Sequence, residues 1–355
     1  MFQRKVSQIP GACHAMEAIV GLSRVQLFLL GFLRESTVQK YTLALGHLNS
    51  ELRAHDQRWS EMSEEEQDLF LSEWLVDACE QGSSKAVYGW ALSAVQKLFP
   101  RIRIRVAWKV FDAWGQRVPI KQAPAAPTEL LHAMVSIAMM LNRVSLAALI
   151  VTCYAGLLRV REALHLRLKN IVVGDGDIVL CFGHTKRGTE QKVVLRESSI
   201  VNFLRQYLKH VGSSDSDLAF SVSYSSALRW VRRLSWLLGG DDFVVTTHTF
   251  RRSGASELAR QGTPLADILV YGRWQSDRSA REYIRHEVAA HRTRQAMNPQ
   301  LRRRVVHWAS LVSSAWICYQ PARILQDFTV QVDRMTVPVF EAFEQAIFSA
   351  FNLPV

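Results

Sequence analysis

The chain has few cysteines, and their spacing is not that of a metal or redox site. Its 355 residues include five cysteines, which are scattered and never form a C-x-x-C pair. An odd and dispersed set argues against a disulfide framework and against a zinc site. We therefore expect no bound metal, and we expect reduced, structural thiols at Cys13, Cys79, Cys153, Cys181 and Cys318.

Long apolar stretches are also missing. The longest runs, at 134–141 and 145–158, are separated by Asn142 and Arg143. Each is shorter than the roughly 20 residues that a membrane span requires. We interpret both runs as buried helices. The chain does not open with a basic segment, an apolar run and a small-residue cleavage site, so we expect an intracellular protein.

Negative charge is in short supply, with 32 Asp and Glu against 43 Lys and Arg and a net charge of +11. A surplus of this kind favours a polyanionic partner, either nucleic acid or an anionic membrane surface. A membrane-surface role has the least support, because no segment clearly combines a basic face with an aromatic apolar face. The sequence also contains neither a phosphate-binding P-loop nor an acidic metal triad, so we expect no cofactor.

The length suits two domains, and the first half predicts a helical bundle over residues 1–118. Apolar residues recur at helical spacing from 14 to 33 and again after Ser36 and Thr37, which we expect to cap a second helix. Ser63 and Glu66 form a capping-box pattern at the start of a third helix. Two more helices are predicted, from Ser84 to Pro100 and over 106–114. Residues 119–128 contain three prolines and are typical of a linker.

A basic stretch near the end of this bundle alternates charged and aliphatic residues. It contains Arg101, Arg103, Arg105 and Lys109. Two interpretations stay open, namely a solvated edge with buried aliphatic side chains and a contact with a DNA backbone.

The second half, over residues 129–300, predicts a mainly α fold with a small antiparallel β-sheet. Thr128 is expected to cap a helix, and a second helix covers 145–158. Three short β-like runs follow at 171–173, 178–182 and 192–195, joined by tight turns. Lys186 lies in the second turn, where a lysine by itself would serve only solubility.

Charged pairs with helical spacing flank this sheet. Arg159 and Glu162 are three residues apart, so the carboxylate can fix the guanidinium while other donors face a ligand. His248 and Arg251 have the same spacing and can face one anion at a helix start. This arrangement would suit a phosphate, although an H-x-x-R pair alone is most often a cap or a solvated surface.

Five motifs occur in a fixed order: G-L-L-R-V-R-E-A-L at 156–164, T-K-R-G at 185–188, H-T-F-R at 248–251, G-R-W at 272–274, and a downstream Tyr283. Together they resemble the tyrosine recombinase family, the phage integrases and their relatives. The Leu-Leu-Arg form and Trp274 in place of histidine resemble the Cre-like branch. The motifs cover about residues 128–290, and the helical first half fits a core-binding domain by architecture.

The resemblance implies a site-specific recombinase that cleaves DNA through a 3′-phosphotyrosine without ATP or metal. It implies that Arg159 and Arg251 bind the scissile phosphate and that His248 and Trp274 donate hydrogen bonds to it. By the same resemblance, Lys186 protonates the leaving 5′ oxygen and Tyr283 is the nucleophile. Glu162 would support the arginines. The partners implied are double-stranded DNA with a specific site and three further copies of the chain in a tetramer. The place of action would be the cytoplasm or nucleoid, or the nucleus of a eukaryote.

Two other functions remain open, a type IB topoisomerase-like enzyme and a catalytically inactive, regulatory DNA-binding relative. The tail, residues 301–355, is longer than in many relatives. Its apolar residues at helical spacing predict a buried face, formed by Phe340, Phe343, Ile347, Phe348 and Phe351. That face could pack on the catalytic domain of the same chain or on a neighbouring subunit, and we favour a subunit contact.

Overall fold

A computed structural model describes residues 32–118, 126–183, 191–212, 214–238, 245–274, 299–317 and 337–350, together with Phe28, Asp277, Arg281 and Met297. The chain divides into two compact units, residues 1–121 and 122–355. Almost all of the helix expected over 14–33 lies outside the described residues, as does most of the expected linker.

In the part of the first unit that the structure describes, all regular structure is helical. Its elements are α1 (Glu35–Ala54), a short 3-10 turn (Trp59–Glu61), α2 (Glu64–Glu80), α3 (Lys85–Leu98) and α4 (Arg105–Arg117). The capping box at Ser63 is confirmed, because Glu66 Oε2 accepts from the Ser63 N–H (2.7 Å) and Ser63 Oγ accepts from the Glu66 N–H (3.3 Å). Local chemistry is enough to start this helix.

The start of α1 was predicted incorrectly. We expected Ser36 and Thr37 to cap it, but the helix begins at Glu35. The Arg34 carbonyl accepts from the N–H groups of Thr37 (2.8 Å) and Val38 (3.1 Å), so backbone bonding closes the first turn one position earlier. Glu35 in that first turn also interacts favourably with the helix dipole.

A long-range contact sets the start of α4. The Asp68 carboxylate, on α2, accepts from the N–H groups of Val106 (2.9 Å) and Ala107 (2.8 Å). These donors have no partner inside the helix, so a buried carboxylate stabilises the helix end and ties it to the bundle. An aromatic row of Trp74, Tyr88 and Trp114 packs beside it, with ring centroids 4.6 and 5.4 Å apart.

The second unit combines helices with one small sheet, so the predicted fold class is confirmed. Its helices are α5 (Thr128–Met140), α6 (Val144–Ala155), α7 (Val160–Leu164), α8 (Ser198–Lys209), α9 (Tyr224–Leu237), α10 (Thr247–Arg260), α11 (Leu265–Gly272), α12 (Pro299–Ile317) and α13 (Val337–Ala350). Helices α5 and α6 are apolar on nearly every side and form the centre of one large core.

The sheet has the order β1 (Ile171–Val173), β2 (Ile178–Phe182), β3 (Gln191–Leu195), with antiparallel neighbours. The three predicted strands are confirmed to within one residue. The turn at 174–177 closes with a bond from the Gly174 N–H to the Asp177 carbonyl (3.0 Å). Arg205 on α8 donates to the Gly174 carbonyl (2.7 Å), which fastens the hairpin to the helical layer.

Thr128 does not cap α5 as we expected. Pro127 occupies the N-cap position, and Thr128 is the first helical residue. Its hydroxyl instead lies 3.2 Å from the Tyr154 hydroxyl and donates to Glu257 at 3.2 Å. The Thr128 hydroxyl therefore bonds to side chains that are distant in sequence, whereas a local capping rule predicts a bond to the backbone of its own helix.

The two terminal helices, α12 and α13, pack within the second unit. Helix α12 lies along α5, and Trp308 stacks on Phe340 and Phe343 of α13 with centroids 6.1 and 6.2 Å away. Ile347 is buried beside them. The predicted buried face is thus present for these three residues of α13, while the Phe348 side chain and residue 351 lie outside the described residues. Within the described part of the chain, no helix is both long and apolar enough to span a bilayer.

Candidate active site

Arg251 is the most deeply buried charged residue of the site. It lies in the first half of α10 with 1% of its surface exposed. Its Nη1 donates to the Leu157 carbonyl (2.8 Å) and its Nη2 to the Gly272 carbonyl (2.6 Å). The Trp274 ring lies beside it, 4.5 Å from Cζ to the ring centroid. A guanidinium stays charged even when it is buried, so it needs such partners to offset the loss of its hydration.

Close helix packing brings these carbonyls to Arg251. A Cβ at Gly254 would lie 2.2 Å from the Tyr154 carbonyl oxygen, so α10 can approach the end of α6 only with glycine here. Helix α6 ends at Ala155, and two residues later Leu157 has a φ of 46°. This left-handed residue lies two positions before Arg159, which precedes α7.

Arg159 is the more accessible arginine, with 31% of its side chain exposed. Its Nη1 donates to Glu162 Oε1 at 2.5 Å, and its N–H donates to Glu162 Oε2 at 2.9 Å. The predicted pairing of these two residues is therefore present. A carboxylate that grips both the backbone and the guanidinium restrains the fork while leaving part of it open to a ligand.

Glu162 also contacts two further arginines. Its Oε2 accepts from Arg273 Nη2 at 2.8 Å and lies 3.8 Å from Arg251 Nη1. Burial alone would raise the pKa of Glu162, but Arg273 and Arg159 outweigh it and lower that pKa below its ordinary value. The carboxylate is thus ionised at neutral pH and is shared among three guanidinium groups.

The G-R-W turn places Trp274. Helix α11 ends at Gly272, and the residue that follows it, Arg273, has a φ of 56°. A Cβ on Gly272 would come within 1.8 Å of the Trp274 ring. The bare Cα of Gly272 therefore lets the indole fold back over α11 and reach Arg251, with 8% of its surface exposed.

His248 lies in the first turn of α10 and is exposed. Partial burial of the ring and the positive charges of Arg252, Arg159 and Arg251 lower the pKa of His248. The imidazole is therefore neutral at pH 7, and it can donate from one ring nitrogen and accept at the other.

Residues 127–290 match the model of the phage integrase family. The chain carries a phage integrase domain. This family acts in DNA recombination and DNA integration, and its members are tyrosine recombinases. The proposed resemblance is confirmed at the level of the family, whereas membership of the Cre-like branch stays a prediction.

Solved structures of tyrosine recombinases share the fold of this phage integrase domain. A XerH site-specific recombinase in a post-cleavage complex is 18% identical over 73% of this chain and 78% of its own, with a TM-score of 0.53. The pre-cleavage complex of XerH is 17% identical over 81% of this chain and 92% of its own, with a TM-score of 0.51. The Tn1549 transposon integrase in complex with transposon right end DNA is 13% identical over 77% of this chain and 97% of its own, with a TM-score of 0.50. No curated protein sequence matches the chain.

Two of the six residues predicted to be catalytic in the phage integrase domain, Lys186 and Tyr283, lie outside the described residues. The other four, Arg159, His248, Arg251 and Trp274, are brought into one neighbourhood together with Glu162. Their individual roles stay predictions. So does the role of the basic stretch, which belongs to the first unit and is exposed at Arg101, Arg103, Arg105 and Lys109.

Sequence reasoning missed Arg273 as a member of the site. The G-R-W motif drew attention only to its tryptophan, and an arginine next to a helix end is usually a surface residue. The sequence did offer one signal for Arg273, since a glycine directly before it allows the backbone to turn sharply there. Three guanidinium groups against one carboxylate leave the cluster positive, which suits an anion such as a phosphodiester. Within the described residues, no group of His, Cys, Asp and Glu could hold a metal ion.

Proposed function

We propose that the protein is a site-specific DNA recombinase that cleaves and rejoins DNA through a 3′-phosphotyrosine intermediate. The observation that carries this proposal is the cluster of Arg159, Arg251 and Trp274 around Glu162, within a phage integrase domain. An attack on a phosphodiester builds negative charge on the phosphoryl oxygens, and fixed cations in a partly buried site stabilise that charge.

The reaction would begin when Tyr283 Oη attacks the phosphorus. A new bond forms between this oxygen and phosphorus, and the bond from phosphorus to the 5′ oxygen breaks. Lys186 would supply a proton to that leaving oxygen. His248 would accept the tyrosine proton, which its lowered pKa supports because a neutral imidazole has a lone pair available. The phosphotyrosine ester keeps the energy of the broken bond, so a second 5′ hydroxyl can attack it without ATP.

Arg159 and Arg251 would divide the work of holding the phosphate. Arg251 is fixed by two carbonyls and the Trp274 ring, so it provides a rigid positive charge below the surface. Arg159 is partly exposed and can direct donors at the phosphoryl oxygens while Glu162 restrains it. Because both guanidinium groups are already in place, neither has to move when negative charge develops on the phosphoryl oxygens.

We further propose double-stranded DNA with a specific recombination site as the substrate and a tetramer as the active assembly. The XerH complexes named above are bound to difH DNA, and the Tn1549 integrase to transposon DNA, which supports a DNA partner. In this structure α13 packs on its own domain. A subunit contact through the tail is therefore proposed for the assembled form only.

The test is to trap the covalent adduct. Incubation with a nicked suicide substrate should give a protein–DNA adduct, and Tyr283→Phe should give none. Arg159→Ala and Arg251→Ala should lose cleavage by at least about 100-fold while retaining DNA affinity, since binding is spread over many phosphates. Arg260→Ala, on the same helix as Arg251 but 61% exposed, is the matched control and should cleave normally.

Three outcomes would contradict the proposal or one of its assigned roles. Relaxation of supercoiled plasmid without joining of matched sites would indicate a type IB topoisomerase-like enzyme. DNA binding with no adduct from the unaltered protein on any cleavable substrate would indicate a regulatory relative. An adduct that persists in Tyr283→Phe would remove Tyr283 from its role.

A further inference from the structure

Arg273 adopts a backbone conformation that favours glycine. Its φ is 56° and its ψ is 43°, in the left-handed region where a Cβ meets the following carbonyl. Glycine is one position earlier, at Gly272, where close approach of the Trp274 ring requires it. Arg273 therefore holds a strained left-handed conformation that a glycine at the same position would adopt without strain.

The Arg273 side chain then enters the interior instead of solvent. It is 9% exposed and donates from Nη2 to Glu162 Oε2 at 2.8 Å. The same nitrogen lies 3.5 Å from the Leu157 carbonyl that Arg251 also uses. The guanidinium packs over the Phe182 ring, with Cζ 4.8 Å from the centroid. One residue thus joins the end of α11 to α7 and to β2.

This placement carries a second cost. Among the described residues, none provides a hydrogen-bond partner for Arg273 Nε or Nη1, although both atoms are buried. Burial also lowers the pKa of Arg273, with Glu162 opposing that change. Backbone strain and unsatisfied buried donors at one residue are features that cluster at functional sites.

We propose that Arg273 is a positioning residue for the recombination reaction, which holds Glu162 so that Glu162 in turn orients Arg159. This inference rests on the proposed function and goes beyond the six residues that the family motifs supply. It assigns the residue before Trp274 a role of its own in this chain.

The geometry shows how the positioning works. Glu162 Oε1 faces the Arg159 guanidinium, and Glu162 Oε2 faces Arg273. The Arg159 N–H also donates to Glu162 Oε2, so Arg273 is the second donor on that oxygen and the one that carries a charge. This additional ion pair from another helix end holds the carboxylate more firmly, so the accessible donors of Arg159 keep one direction. The turn at Arg273 also sets the entry of Trp274, which packs on Arg251.

Arg273→Gly is the variant that tests this role, because glycine keeps the left-handed turn without strain and removes only the side chain. We expect DNA affinity within about two-fold of the unaltered protein, since many phosphates share binding. Cleavage of the suicide substrate at saturating protein should be at least about ten-fold slower, as expected when an orienting partner is lost. Arg273→Lys should recover part of the rate.

Asn142→Gly provides the matched control. Asn142 also has a positive φ, 54°, but it is exposed and precedes α6 at the end far from the site. Relief of the same kind of strain there should leave cleavage unchanged. Cleavage by Arg273→Gly at the normal rate would overturn the inference. A lower DNA affinity with a salt slope reduced by about one would also overturn it, because it would indicate a direct phosphate contact.

Two further measurements separate this inference from the proposed function. In a double-mutant cycle, Arg273→Gly should slow cleavage little further once Glu162→Gln is present. If the rate loss of the double variant equals the product of the two single losses, Arg273 does not act through Glu162 and the inference is overturned. Without DNA, carbon-13 NMR of the Glu162 carboxyl should show a higher titration midpoint in Arg273→Gly but not in Asn142→Gly. An unchanged midpoint would overturn the inference even if the protein cleaves DNA. If the unaltered protein does not cleave DNA, only the proposed function is overturned.

Discussion

Glu162 and Glu344 are both largely removed from water, yet the pKa of one carboxyl is lowered and that of the other is raised. Glu162 lies among three arginines and accepts from a backbone N–H. Glu344, on α13, pairs with Arg304 Nε at 2.9 Å and accepts from the Trp308 indole at 2.7 Å. Burial and the nearby Glu341 raise the pKa of Glu344 beyond what these partners offset.

The difference shows what each cluster is suited for. A buried carboxylate stays charged when opposite charges outnumber it, and it loses that preference when desolvation dominates. Around Glu162 the surplus of positive charge exceeds what the fold needs for pairing, so part of it is available to a ligand. Around Glu344 one arginine faces two carboxylates, Glu344 and Glu341, so no positive charge is left over for a ligand, and the contact serves to hold two helices together.

The largest expected effect comes from removing the carboxylate at the site. Glu162→Ala leaves three guanidinium groups close together without their shared anion. We expect the free energy of unfolding to fall by about 3 kcal/mol, because one partner of a buried ion cluster is lost. Urea unfolding followed by circular dichroism measures this. A loss below about 1 kcal/mol would show that the arginines find other partners.

An intermediate effect is expected from pH, with opposite signs for the two residues. Glu162 has a folded pKa below its ordinary value of 4.5, so its stabilisation is present above pH 4.5 and is lost as pH falls through the folded pKa. Glu344 has a raised folded pKa, so the folded state gains stability as pH falls toward 4.5.

Unfolding free energies between pH 7 and pH 3.5 measure this difference, with Glu162→Gln and Glu344→Gln as matched variants. The advantage of the unaltered chain over Glu162→Gln should shrink below pH 4.5. Its advantage over Glu344→Gln should grow as pH approaches 4.5 from above. Parallel curves for the two variants would contradict the comparison.

The smallest effect is expected from Glu344→Gln at neutral pH. The amide oxygen can still accept from the Trp308 indole, and the substitution removes both the desolvation cost and the repulsion from Glu341. Arg304 is 24% exposed and can turn to solvent or to Glu341, 3.3 Å away. We expect a change within about 1 kcal/mol, measured by thermal or urea unfolding. A loss as large as that of Glu162→Ala would mean that the two clusters do not differ in kind.

Local patterns predicted the elements whose partners lie close in sequence. The Ser63 capping box and the hairpin from β1 to β2 depend on residues that are close in sequence, and both are confirmed. The pairing of Arg159 with Glu162 is local as well. Predictions went wrong at Thr128 and Ser36, where a capping residue type was present but distant side chains or backbone bonding set the helix start. Helix α8 was not predicted at all.

The sequence by itself determined the family motifs and their order, the fold class and the surplus of positive charge, since each depends on residue type and near neighbours. Only the tertiary structure decided that Arg251 is buried between two carbonyls, that Glu162 serves three arginines and that Arg273 turns inward. The physical reason is that those contacts join α6, α7, α10 and α11, and charge partners across such distances follow from packing and not from spacing along the chain.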